Sequence, residues 1–193
     1  MTNDLLVKKA RDLMRRQTLA NKAPIWAFTE IAINKAGKLM KKYKVRKDLV
    51  LVGTYLADCV SFKKSKGKFI RVDSHEELSA RFAEKYLRKW KVPRNDMDII
   101  LNSIRAHHEN APALSTEAEV VKAADCFKFL SMEGILALMH TLGTRNMSLN
   151  EAVKFAKERA REKLGYISLP GLKKEATANY KEIILFLNSI PKK

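Results

Sequence analysis

A few residues in this chain are of the types that bind metals and move protons, and they sit among apolar neighbours. Asp58 is the single charge in the run LVLVGTYLADCV from Leu49 to Val60, which is apolar on every side of any helix drawn through it. A helix hydrophobic all round lies inside a bundle. A carboxylate carried there costs several kcal/mol unless it is neutralised, hydrogen-bonded or bound to a metal. Three later segments offer partners: His75 in SHEELSARFAEKYL, His107 and His108 in IRAHHEN, and Asp125 in VVKAADCFKFL. Two carboxylates with two or three imidazoles suit a divalent ion such as Mn²⁺, Fe²⁺ or Zn²⁺, which accept mixed nitrogen and oxygen ligands. Two metal-free arrangements stand beside this one. The acids could pair with a nearby base such as Arg105 or Lys122, or directly with His75 and one histidine of the doublet. Adjacent helix residues point about 100° apart, so only one of His107 and His108 is expected at the centre. His140 reads as a helix-surface residue. Cys59 and Cys126 each follow an acid and read as small buried hydrophobes, close enough to respond jointly to oxidation if both acids meet.

Positioning these groups requires helices. Asn3 to Ala20 repeats apolar residues at helical spacing, and a second helix begins near Pro24 and runs to about Tyr43. The buried helix spans about Lys47 to Phe62, and SFKKSKGKFIRVD then reads as a flexible basic loop. Its Lys63 and Lys64 could steer a phosphate towards Asp58. Ser74 with Glu77, Thr116 with Glu119, and Ser148 with Glu151 are capping boxes that start three helices. Pro93 opens a further helix whose apolar face His107 and His108 extend. Gly134 to Gly143 and Lys173 to Ile190 are the remaining helices. No strand pattern exceeds Lys68 to Val72, and no repeat of fixed period occurs, so the fold expected is all-α.

Length and composition narrow the classes. With 193 residues the chain is expected to form a single domain, and two cysteines are too few for a disulfide framework. No apolar run reaches membrane length and no signal peptide is apparent, so a cytoplasmic protein that does not span a membrane is expected. The net charge of +17, from 38 Lys and Arg against 21 Asp and Glu, leaves nucleic acid, a phosphorylated metabolite and an acidic protein open as partners. There is no phosphate loop, no G-x-S-x-G elbow and no C-x-x-C pair.

The order of a buried helix ending in Asp58, then H-E-x-x-S-A at His75, I-x-x-H-H at His107 and His108, and A-D-C-F at Asp125 resembles the HD-domain superfamily of metal-dependent phosphohydrolases. The resemblance covers about residues 26–130, leaving about 131–193 as a C-terminal helical extension. It implies a helical bundle in which Asp58 matches the Asp of the His-Asp dipeptide, His75 and His107 or His108 match two histidines that hold a second metal, and Asp125 matches the late Asp. Two positions depart from the pattern. Ala57 precedes Asp58 where the family has His, and no His occurs near Phe28 where the early ligand belongs. The expectation is therefore a relocated single-metal site of Asp58, His75, His107 or His108, and Asp125. It implies hydrolysis of a nucleotide or other small phosphate ester, with Asp58 and Asp125 catalytic and Lys63, Lys64, Arg105 and Lys122 available to the substrate. Glu30 could replace the missing early ligand. The alternative is a non-catalytic domain binding an anionic ligand or nucleic acid.

Overall fold

The computed structural model describes residues 2–21, 24–65, 68–108 and 111–191, with side chains throughout except at 63–65, 68 and 69. Its centre is α3 (Lys47–Leu56). Leu49, Val52 and Leu56 face one apolar cluster, shared with α1 (Asn3–Asn21), α4 (His75–Lys89) and α5 (Arg94–Ala106). Val50 faces a second, shared with α2 (Trp26–Leu39) and α6 (Thr116–Cys126). A helix with apolar residues all round can satisfy both clusters only from between them. Gly53 allows the close approach: a Cβ there would lie 3.1 Å from Ser103 Cβ on α5 and 3.2 Å from Val121 Cγ2 on α6.

The helix stops earlier than the sequence suggests. Asp58 lies in the turn of residues 57–60 that follows Leu56, so a turn and not a helix face presents its carboxylate. The basic segment after it is an antiparallel hairpin, β1 (Phe62–Ser65) with β2 (Lys68–Arg71), in which Phe62 is opposite Arg71. The expected flexible loop is thus ordered backbone at Lys63 and Lys64, while Lys66 and Gly67 lie outside the described residues. Apart from this hairpin the fold is all-α among the described residues.

Two of the three expected capping boxes do not form. Ser74 sits in the left-handed region at φ 52° and its side chain makes no capping hydrogen bond to α4, and Glu77 instead binds Arg81 and Arg105. Ser115, one residue before the expected cap, accepts from Ala118 N, while Glu119 accepts from Ser168. Ser148 and Glu151 do form their box, at the start of α8 (Leu149–Gly165).

With α7 (Met132–Gly143) and α9 (Leu172–Ser189), α8 builds a third apolar cluster that closes on Phe28 of α2. No described helix is long and apolar enough to cross a membrane.

Candidate metal and anion site

The turn after α3, the start of α4, the end of α5 and the end of α6 meet at one cavity of about 360 Å³. It brings together Asp58, His75, His107, His108 and Asp125. His75 is the buried first residue of α4, and His107 is the residue on which α5 terminates.

Each of the two inner imidazoles is oriented through its Nδ1. His107 Nδ1 lies 2.6 Å from the Ile104 carbonyl, and His75 Nδ1 lies 3.3 Å from Glu76 Oε2. The Ile104 carbonyl only accepts, so His107 carries a proton on Nδ1, and in both rings Nε2 is the nitrogen turned inward. The two Nε2 atoms are 3.2 Å apart, and they lie 3.4 and 3.7 Å from Asp58 Oδ1. Three lone-pair donors therefore converge on one point. The donor-to-donor edge of a tetrahedral ion with bonds of 2.0 to 2.1 Å is about 3.4 Å, so these residues fit a divalent metal. The Nδ1 contacts are of the kind that orient metal-bound histidines. Among the described residues, Asp58, His75 and His107 are the group of His, Cys and acidic residues with metal-ligand spacing.

Asp58 divides its two oxygens. Oδ1 faces the imidazoles, and Oδ2 accepts from Lys128 Nζ at 2.5 Å. The same ammonium pairs with Asp125 Oδ1, and Lys163 Nζ donates to Asp125 Oδ2 at 2.9 Å. Both oxygens of Asp125 are thus held by lysines, which separates it from the three convergent donors. Burial raises the pKa of both acids, but Lys128 acting together with His107 and His75 at Asp58, and with Lys163 and His107 at Asp125, outweighs it and holds them below the usual carboxylate range. Burial presses Lys128 down while Asp125 and Asp58 together raise it further.

His108 is the outer member of the doublet. Its Nε2 is 3.5 Å from Arg71 and 3.9 Å from Glu162 Oε1, and its ring meets His75 edge-on. Burial, with Lys163 and His107 nearby, lowers its pKa to about 3, and burial lowers His75 to about 4 against the pull of Asp58. His140 is exposed, as expected. Glu30 is exposed and faces Trp26 and Tyr55, away from the cavity. Burial pushes both thiols up to about 12, and they enter different apolar clusters, Cys59 with α4 and α5, and Cys126 with α2 and α6. The thiols are thus inert packing groups.

The cations of the cavity differ from those expected. Arg105 is paired to Glu77, neither it nor Lys122 lines the cavity, and the side chains of Lys63 and Lys64 lie outside the described residues. The lining cations are Arg71, Lys128, Arg145, Arg159 and Lys163, five against the two carboxylates. Two were legible. Lys128 is a lone charge between Phe127 and Phe129, and Lys163 continues the buried stripe of Ala152, Ala156 and Ala160 on α8. Arg71, Arg145 and Arg159 carry no such signal.

The HD-domain family profile matches residues 31–130, slightly over half of the chain. The chain belongs to the HD-domain family. No curated protein sequence matched. Among solved structures, Bacillus subtilis YpgQ superposes with a TM-score of 0.72 at 16% identity, covering 97% of this chain and 95% of YpgQ. YpgQ in complex with ADP gives the same TM-score and identity over 97% and 94% of the two chains. The Listeria innocua Lin1889 protein gives 0.68 at 13% identity over 100% and 97%. At these identities the likeness concerns the fold, and it extends through the C-terminal helices beyond the family match. In this HD domain the residue before Asp58 is buried Ala57, and Phe28 lines the cavity against Phe129 where the early His of the pattern would fall.

Proposed function

We propose that this HD-domain chain hydrolyses a nucleotide or other small phosphate ester, using one divalent ion held by Asp58, His75 and His107. The observation that carries the reading is the convergence of three lone-pair donors at the wall of a cavity in which cations outnumber carboxylates. A divalent ion there would supply an acidified water and neutralise charge on the phosphoryl oxygens. The chain supplies the rest. Arg71, Arg145 and Arg159 offer forked donors suited to phosphate oxygens. Arg145 lies over the Phe62 ring and Arg159 over the Phe155 ring, cation–π contacts that position both guanidiniums at the wall. Phe28, Leu138 and Leu142 form an apolar side suited to a base or other uncharged portion. YpgQ, similar in fold, was crystallised with ADP, which supports a nucleotide as the ligand class.

A second reading, anion binding without turnover, is favoured by one specific observation: Lys128 and Lys163 already neutralise the two acids. Metal analysis after incubation with Mn²⁺, Fe²⁺ or Zn²⁺, joined to ADP binding and nucleotide hydrolysis assays, separates the two. Hydrolysis requires about one bound equivalent, with His75→Ala or His107→Ala lowering metal affinity and turnover at least about a hundredfold. Less than about a tenth of an equivalent in every condition, with ADP still bound, would leave only the binding reading.

A further inference from the structure

The Asp58–Asp125 pair holds a cation of its own. Lys128 Nζ bridges Asp58 Oδ2 and Asp125 Oδ1, with the Lys128 side chain 9% exposed and Asp125 closed on its other oxygen by Lys163. The ammonium is placed by a tight turn. Lys128 N donates to the Asp125 carbonyl at 3.1 Å, and the Lys128 carbonyl sits against Gly134, where a Cβ would come within 1.8 Å. Two carboxylates and two ammoniums sum to zero, so a divalent ion added between the acids would leave two uncompensated positive charges in a buried place. To enter, it would first have to expel a side chain fixed at its base and at its tip.

We propose that Lys128 is the resident cation of the Asp58–Asp125 position, standing where a metal ion would otherwise bridge the acids, and that it limits the chain to the single metal position at Asp58 Oδ1, His75 and His107. The inference uses the same cavity as the functional reading but does not depend on hydrolysis.

The test is the stoichiometry of Mn²⁺ binding, read by calorimetry and by the manganese paramagnetic resonance signal of the full-length protein. Lys128→Ala is expected to bind one more equivalent than the unsubstituted chain. Lys128→Arg is expected to keep the original number, and Lys128→Ala with Asp125→Asn to return to it. A folded Lys128→Ala variant with unchanged stoichiometry would overturn the proposal. Should Lys128→Ala not fold, Asp125→Asn alone decides. Since Asp125 is not a ligand in this account, Mn²⁺ affinity should stay within about threefold, and a loss of tenfold or more would contradict it. If the unsubstituted chain binds no Mn²⁺ and Lys128→Ala binds one, the single metal position at His75 and His107 fails, and the functional reading with it, while the occupation of the Asp58–Asp125 position by Lys128 stands.

Discussion

At the residue scale, the far nitrogen of each imidazole decides what the near one can do. The Ile104 carbonyl accepts the Nδ1 proton of His107 and Glu76 sits beside Nδ1 of His75, so that the two Nε2 atoms and a carboxylate oxygen face one another. The arrangement also makes the fold sensitive to acid. His75 and His108 have folded values of about 4 and about 3, below the ordinary histidine value of 6.5. Below pH 6.5 the unfolded chain therefore takes up protons that the folded chain refuses. Stability is full above that pH and declines as pH falls towards 4. Each imidazole should contribute about 2 kcal/mol of loss by pH 5. Asp58 and Asp125, whose values are depressed, add to the loss from about pH 5 downward, where unfolded carboxyls begin to protonate. Urea denaturation at pH 7, 6 and 5 should show the decline. A midpoint unchanged from pH 7 to 5 would mean that these imidazoles are not held neutral.

At the element scale, the turn between α6 and α7 positions the buried lysine. Ser131 caps α7 by accepting from Gly134 N at 3.2 Å, and the bare Gly134 Cα lets the Lys128 carbonyl pack against it. Gly134→Ala places a methyl group on a backbone oxygen that cannot move without shifting Lys128. The expected cost is about 2 to 4 kcal/mol, read by urea denaturation, although alanine favours helix over glycine. A change of less than about 0.5 kcal/mol would show that the turn relaxes freely. Much of this scale was legible in the sequence: the all-round apolar α3, the helical spacing of the other segments and the Ser148 box are local patterns. The rest depended on tertiary contacts. Glu77 and Glu119 were drawn from their expected caps by Arg105 and Ser168, groups distant in sequence. Asp58 left the helix because the chain turns at residue 57, which no Gly or Pro marks. The acids and histidines stood out as polar groups on apolar stripes, and Lys128 and Lys163 showed the same signature. The arginines look in sequence like any solvated face, and only the packing of the hairpin and α8 gathers them.

At the scale of the whole molecule, the two sides of the cavity have different origins. The acids and histidines come from within the family match at residues 31–130, whereas Arg145, in the turn after α7, and Arg159 and Lys163 of α8 come from beyond it. The side with the three convergent donors and much of the cationic side are thus brought together only when α7 and α8 pack onto α2 through the cluster around Phe28. This arrangement joins a small ligand set to a cationic wall, the combination needed for a metal ion and a phosphate to meet. The most direct measurement is an anomalous difference map from crystals grown with Mn²⁺ and ADP. The account predicts one manganese peak between Asp58 Oδ1 and the Nε2 atoms of His75 and His107, with ADP phosphates against the arginines and Lys128 still bridging the acids. A peak between Asp58 and Asp125 with Lys128 displaced, or ADP bound with no manganese beside His75 and His107, would contradict it.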